Sequence, residues 1–129
     1  MNILLDTNAL LWSLADSDRL GLAVRLLITE PRNVVYVSAA SAWEIAIKMS
    51  LGKLSAPDDA SAWLPEALRT SRFTPLSITI EHALGVHSLP KHHADPFDRL
   101  LLAQAIAEQL TIVTGDRQFE AYGVPLVLC

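Results

Sequence analysis

Four carboxylates carry the strongest chemical signal in the chain. Asp6 ends the apolar run Asn2-Ile3-Leu4-Leu5, and Asp116 follows the strand-like Leu110-Thr111-Ile112-Val113-Thr114. Glu44 lies early in a helical pattern behind Val34-Val35-Tyr36-Val37, and Asp98 falls in the first turn of another, Phe97 to Ala105. Acids that converge in a cleft repel one another unless a hard cation stands between them. Mg²⁺ or Mn²⁺, which prefer oxygen ligands, suit such a set. The chemistry then on offer is that of a bound hard cation held by carboxylate oxygens.

Bringing the four acids together requires a particular scaffold. Short apolar runs at 2–5, 34–37, 75–78, 111–114 and 125–128 read as strands buried on both faces. Helical patterns fill the gaps at 7–15, 19–29, 39–50, 59–71, 80–87 and 96–109, with a short helical turn at 116–121. Strands alternating with helices predict an α/β protein: a three-layer α/β/α sandwich around a central, mostly parallel five-stranded sheet. In such a sheet the helices run antiparallel to the strands, so helix N-termini gather along one edge, where α/β folds place their sites. No repeat or linker interrupts residues 1–129, and one domain is expected.

Each acid also has a purely structural reading. Asp6 can cap the helix that starts at Thr7, and Asp116 can serve a turn or a cap. Ser41-Ala42-Trp43-Glu44 fits a capping box, although Ser38 is the better cap because the apolar face begins at Ala39. Asp95 is assigned to capping, with Pro96 at the first helical position, and Asp98 to chemistry. Among other residues, His92-His93 reads as a solvated loop, and Trp12, Trp43 and Trp63 read as core anchors. Lys48, Lys53, Arg99 and Arg117 can form a modest positive rim. Ser38 and Ser41 have no nearby base, and the chain carries no Gly-x-Gly-x-x-Gly or P-loop, so neither a serine nucleophile nor a nucleotide cofactor is expected.

Composition narrows the class further. Of the 129 residues, 51% are hydrophobic and 19% charged, with a formal net charge of −4. Mean hydropathy is +0.32, apolar enough to expect that a partner covers some surface. An acidic chain does not grip nucleic acid by phosphate contacts alone, whereas a bound cation inverts the local charge. No apolar stretch approaches the roughly 18 residues of a membrane span. The N-terminus lacks a basic leader, and the single cysteine, Cys129, gives no disulfide framework; both features fit a reducing cytoplasm.

Several segments, in this order, resemble the PIN-domain ribonucleases and especially the VapC-type toxins of bacterial type II toxin–antitoxin pairs. They are Leu4-Leu5-Asp6-Thr7-Asn8-Ala9-Leu10-Leu11-Trp12, the run from Ser38 to Lys48, Gly52-Lys53-Leu54, His93-Ala94-Asp95-Pro96-Phe97-Asp98-Arg99-Leu100-Leu101 and Thr114-Gly115-Asp116. The resemblance implies Mg²⁺- or Mn²⁺-dependent cleavage of RNA by Asp6, Glu44, Asp98 and Asp116. It places small hydroxyl residues at Thr7 and Thr114 and leaves Asp95 and Arg99 as supporting or substrate-facing residues. It further implies a homodimer and an antitoxin encoded next door. Gly115 stands where a larger residue is frequent and is expected to loosen the loop carrying Asp116. A housekeeping PIN nuclease without an antitoxin, or a degenerate binding-only member, shares these features. A receiver-like signalling domain fits poorly, since Asp6 is followed by Thr7-Asn8 and no lysine follows the last strand. A haloacid-type phosphatase would want an Asp where Asn8 stands.

Overall fold

A computed structural model describes residues 1–129. Its centre is a five-stranded sheet in the order β3-β2-β1-β4-β5, formed by β1 (Asn2–Leu5), β2 (Val34–Ser38), β3 (Thr74–Leu76), β4 (Thr111–Thr114) and β5 (Leu126–Leu128). Every pairing is parallel, so the sheet is parallel throughout rather than mostly so. Alternate residues of each inner strand serve opposite cores. Ile3, Leu5, Val35, Val37 and Val113 join one apolar cluster, while Leu4 and Ile112 join the other, with Tyr36 packed against it. That double burial is why the strands read as unbroken apolar runs.

The helices are α1 (Thr7–Leu14), α2 (Leu22–Thr29), α3 (Ala39–Ser50), α4 (Ala60–Thr70), α5 (Ile80–Gly85) and α6 (Pro96–Glu108). Helices α1, α2 and α4 place Ala9, Leu10, Val24, Ile28, Leu64 and Leu68 in the first cluster. Helix α6 fills the second with Leu101, Leu102, Ala103 and Ala105. The result is the three-layer α/β/α sandwich.

Several boundaries differ from the sequence reading; the 80–87 segment, for one, is α5 followed by a separate 3-10 helix, Val86–Ser88. The 19–29 segment is not one helix but a 3-10 turn, Asp18–Leu20, followed by α2, because Gly21 at φ +79° leaves the helical region between them. The third strand begins at Thr74 and ends at Leu76; it lies at the sheet edge, where Pro75 can go without an N–H. Residues 117–122 form a 3-10 helix instead of a single turn.

The chain winds from β1 through β2 to β3 on one side, then returns to place β4 and β5 on the other. The order therefore reverses between β1 and β4, where an open α/β sheet leaves a crevice beyond its strand ends. Asp6 follows β1 and Asp116 lies two residues beyond β4.

Candidate metal centre

Asp6 does two jobs at once. It is the N-cap of α1, with Oδ1 accepting the Ala9 N–H at 2.7 Å. Its other oxygen, Oδ2, accepts the hydroxyl of Thr114. The Thr114 oxygen accepts the Asp116 N–H at 2.9 Å, so one threonine aligns two of the four acids. Capping therefore uses one carboxylate oxygen, and the other is tied to Thr114.

The remaining acids arrive from separate elements. Glu44 sits in the second turn of α3, whose N-cap is Ser38, and pairs with Lys48 Nζ at 3.0 Å. Asp98 stands in the first turn of α6; its N–H donates to Asp95 Oδ1 at 3.1 Å, and the Phe97 N–H donates to the same oxygen at 2.8 Å. Asp95 is thus the α6 cap. Asp116 caps the last 3-10 helix, with Oδ1 accepting the Gln118 N–H at 2.9 Å and Oδ2 turned the other way.

Electrostatics shows that the four groups feel one another. Burial pushes the Asp6 carboxyl above its ordinary range, hydrogen bonds from Thr114 and Ala9 pull it down, and the charges of Asp116 and Glu44 push it up again. Burial is also the main reason that the Asp98 carboxyl rises to about 7. The charges of Asp95, Asp6 and Glu44 act in the same direction, with His93 opposing them. A half-buried cluster of mutually repelling oxygen donors has a chemistry that fits a hard divalent cation. Asp98 and Asp116 bring donor oxygens within 4.8 Å of each other and of His93, while Asp6 and Glu44 join them through the field they exert on Asp98.

Several residues lie elsewhere than the sequence suggested. The Thr7 hydroxyl donates to Ser41 Oγ at 3.0 Å and ties α1 to α3. Arg99 is no free rim cation. Its guanidinium donates to Pro90 O at 2.9 Å, Val86 O at 3.1 Å, Leu89 O at 3.3 Å and the Tyr122 hydroxyl at 3.3 Å, so the loop before α6 wraps around it. Trp43 is 60% exposed rather than a core anchor, and meets the Phe97 ring edge-on at 5.2 Å between centroids. At Gly115 a Cβ would lie 2.7 Å from the Trp12 ring, so the glycine admits that close approach.

His93 was misjudged as solvated. Its side chain is 8% exposed, and Nε2 stands 3.0 Å from Asp98 Oδ2 and 2.9 Å from Asp116 Oδ2. Its position two residues before the cap Asp95 was the available signal, since a ring placed there can accept the cap residue's N–H, as it does at 3.2 Å.

Comparison with known proteins supplies the family. The PIN domain model matches residues 3–125. The chain belongs to the PIN domain family. Ribonuclease VapC22 of Mycobacterium tuberculosis is 31% identical over 126 residues, covering 95% of this chain and 93% of that protein. Ribonuclease VapC16 of the same organism is 41% identical over 63 residues, covering 49% of this chain and only 43% of its own length. Among solved structures, VapBC2 from Rickettsia felis superposes with a TM-score of 0.74 at 20% identity, over 99% of this chain and 98% of that one, which shows a shared fold. No helix of the protein is long and apolar enough to cross a membrane.

Proposed function

We propose that residues 1–129 form one PIN nuclease domain that hydrolyses RNA phosphodiesters with Mg²⁺ or Mn²⁺ and serves as the toxin of a toxin–antitoxin pair. The observation that carries this reading is the half-buried carboxylate cluster at the β1/β4 switch point, in which burial and neighbouring acids push Asp6 and Asp98 up. A cation held by Asp6, Asp98 and Asp116 would act as a Lewis acid, acidifying a water molecule and offsetting charge on the phosphate at the transition state. The chain's own groups fix the geometry. Thr114 and the first turn of α1 hold Asp6 by both oxygens, and the Asp95 cap fixes the start of α6 that carries Asp98. Lys48 holds Glu44 in place and offsets part of its charge. The reaction breaks the bond from phosphorus to the 3′ oxygen, which leaves as a hydroxyl, and the phosphate stays on the 5′ end of the downstream product.

The similarity to VapC ribonucleases and to VapBC2 of Rickettsia felis favours an antitoxin partner and a cytoplasmic setting. The exposed apolar side chains Leu22, Leu26, Ile80 and Leu84 leave surface for such a partner and for a second copy of the chain.

The test is cleavage of RNA oligonucleotides with Mn²⁺, beside a simple phosphate monoester. Wild type should cut RNA to 5′-phosphorylated products and leave the monoester intact. Asp6→Asn should lose cleavage and bind Mn²⁺ weakly, while its metal-free melting temperature stays at or above wild type, because a neutral side chain escapes the desolvation that Asp6 suffers. An Asp6→Asn protein that keeps full activity removes the metal centre from the mechanism.

A further inference from the structure

The loop from Val86 to His93 ends in a histidine whose surroundings fix its hydrogen. The Tyr122 hydroxyl accepts the backbone N–H of His92 at 3.1 Å and of His93 at 2.8 Å, while Arg99 gathers the carbonyls of Val86, Leu89 and Pro90. His93 packs its ring edge-on against Phe119, with centroids 5.7 Å apart. On one side of the ring, Nδ1 accepts the Asp95 N–H at 3.2 Å. A nitrogen that accepts carries no hydrogen, so the neutral ring bears its hydrogen on Nε2. That nitrogen donates to Asp116 Oδ2 at 2.9 Å and lies 3.0 Å from Asp98 Oδ2.

Distances alone would admit His93, Asp98 and Asp116 as a three-ligand set, since their donor atoms lie within 4.8 Å of one another. The tautomer argues otherwise. To bind a cation, Nε2 must present a lone pair, which would move the hydrogen to Nδ1 and set it against the Asp95 N–H, donor facing donor. That would break a bond made by the cap residue of the helix that carries Asp98.

We propose that His93 is a positioning residue of the metal centre, holding the carboxyl groups of Asp98 and Asp116 together through its Nε2–H without binding the cation itself. The inference rests on the nuclease reading and adds to it a fifth residue, with a defined tautomer and a defined anchor in Arg99 and Tyr122. The histidine brings Asp98 of α6 and Asp116, just beyond β4, to one spacing; Asp98 Oδ1 is left for the cation, and Asp116 Oδ1, which accepts the Gln118 N–H, keeps a second lone pair.

Mn²⁺ binding to the purified chain, followed by calorimetry and by electron spin-echo spectroscopy, tests this. Bound Mn²⁺ in wild type should show no directly coordinated imidazole nitrogen. His93→Ala should weaken Mn²⁺ binding on the order of 10–100-fold, as loss of a group that orients ligands does. His93→Gln, whose amide nitrogen can donate from the place of Nε2, should recover most of it. Tyr122→Phe, which removes the hydroxyl that anchors the loop, should weaken binding in the same direction and serves if His93→Ala does not fold. A strongly coupled nitrogen that disappears in His93→Ala overturns the proposal, and so does an affinity unchanged or raised in His93→Ala and Tyr122→Phe. Failure of wild type to bind Mn²⁺ removes the centre itself and the clamp with it. A wild type that binds Mn²⁺ through a histidine nitrogen sinks the clamp alone and leaves the nuclease reading standing.

Discussion

Asp98 links the site to solution conditions. Its carboxyl sits at about 7 in the fold, against 3.8 for an ordinary aspartate. The folded value exceeds the unfolded one, so the protonated form favours the metal-free fold. That contribution is complete below pH 3.8 and is lost as pH rises through about 7. Thermal melts without metal should therefore show wild type falling behind Asp98→Asn as pH climbs from 4 to 8 on the order of several degrees or less. With saturating Mn²⁺ the trend should reverse, because the cation needs the ionised carboxyl. A gap between the two proteins that ignores pH would contradict the assigned environment. At Gly115 the expected effect is steric. Gly115→Ala drives a methyl into the Trp12 ring, and should cost about 1–3 kcal/mol in chemical denaturation and slow cleavage by displacing Asp116.

Among the elements, α6 depends most on its first turn. Asp95→Asn should keep activity and stability, since an amide oxygen also caps, whereas Asp95→Ala should lose about 0.5–2 kcal/mol and part of the rate. Further along the same helix, Gln104 reaches Ser38 Oγ at 2.5 Å and Ser77 O at 3.3 Å, fastening α6 to the start of α3. How far the sequence revealed these elements follows from where their determinants lie. β1, β2, β4, α3 and α6 were legible because apolar runs end at residues with a local reason to stop them: Asp6, Ser38, Gly52 and Asp95. The split before α2 was not, because Gly21 could have sat inside a helix and its positive φ is set by the fold. His93 was missed for a related reason. Its burial depends on Tyr122, 29 residues away, and on the Arg99 guanidinium, whose partners are backbone carbonyls that no side-chain pattern displays.

For the molecule as a whole, the exposed apolar residues are the open account. Ile80 and Leu84 lie four apart on one face of α5 and are 79% and 69% exposed. If a second copy covers them, Leu84→Glu should lower the sedimenting mass from dimer toward monomer without shifting the melting curve by more than a few degrees. An unchanged mass would place the self-association surface elsewhere or remove it. Two lobes of the core lie on opposite faces of one sheet, so the acids from β1, α3, α6 and β4 are held by the same packing that holds the fold.

The bond from Thr114 to Asp6 spans 108 residues of chain. During translation, the first acid leaves the ribosome long before its hydroxyl partner and the final acid exist. A nascent polypeptide of this kind cannot assemble its cluster of acids until synthesis is nearly finished, and a premature stop ahead of β4 leaves Asp6 without the Thr114 hydroxyl and without Asp116.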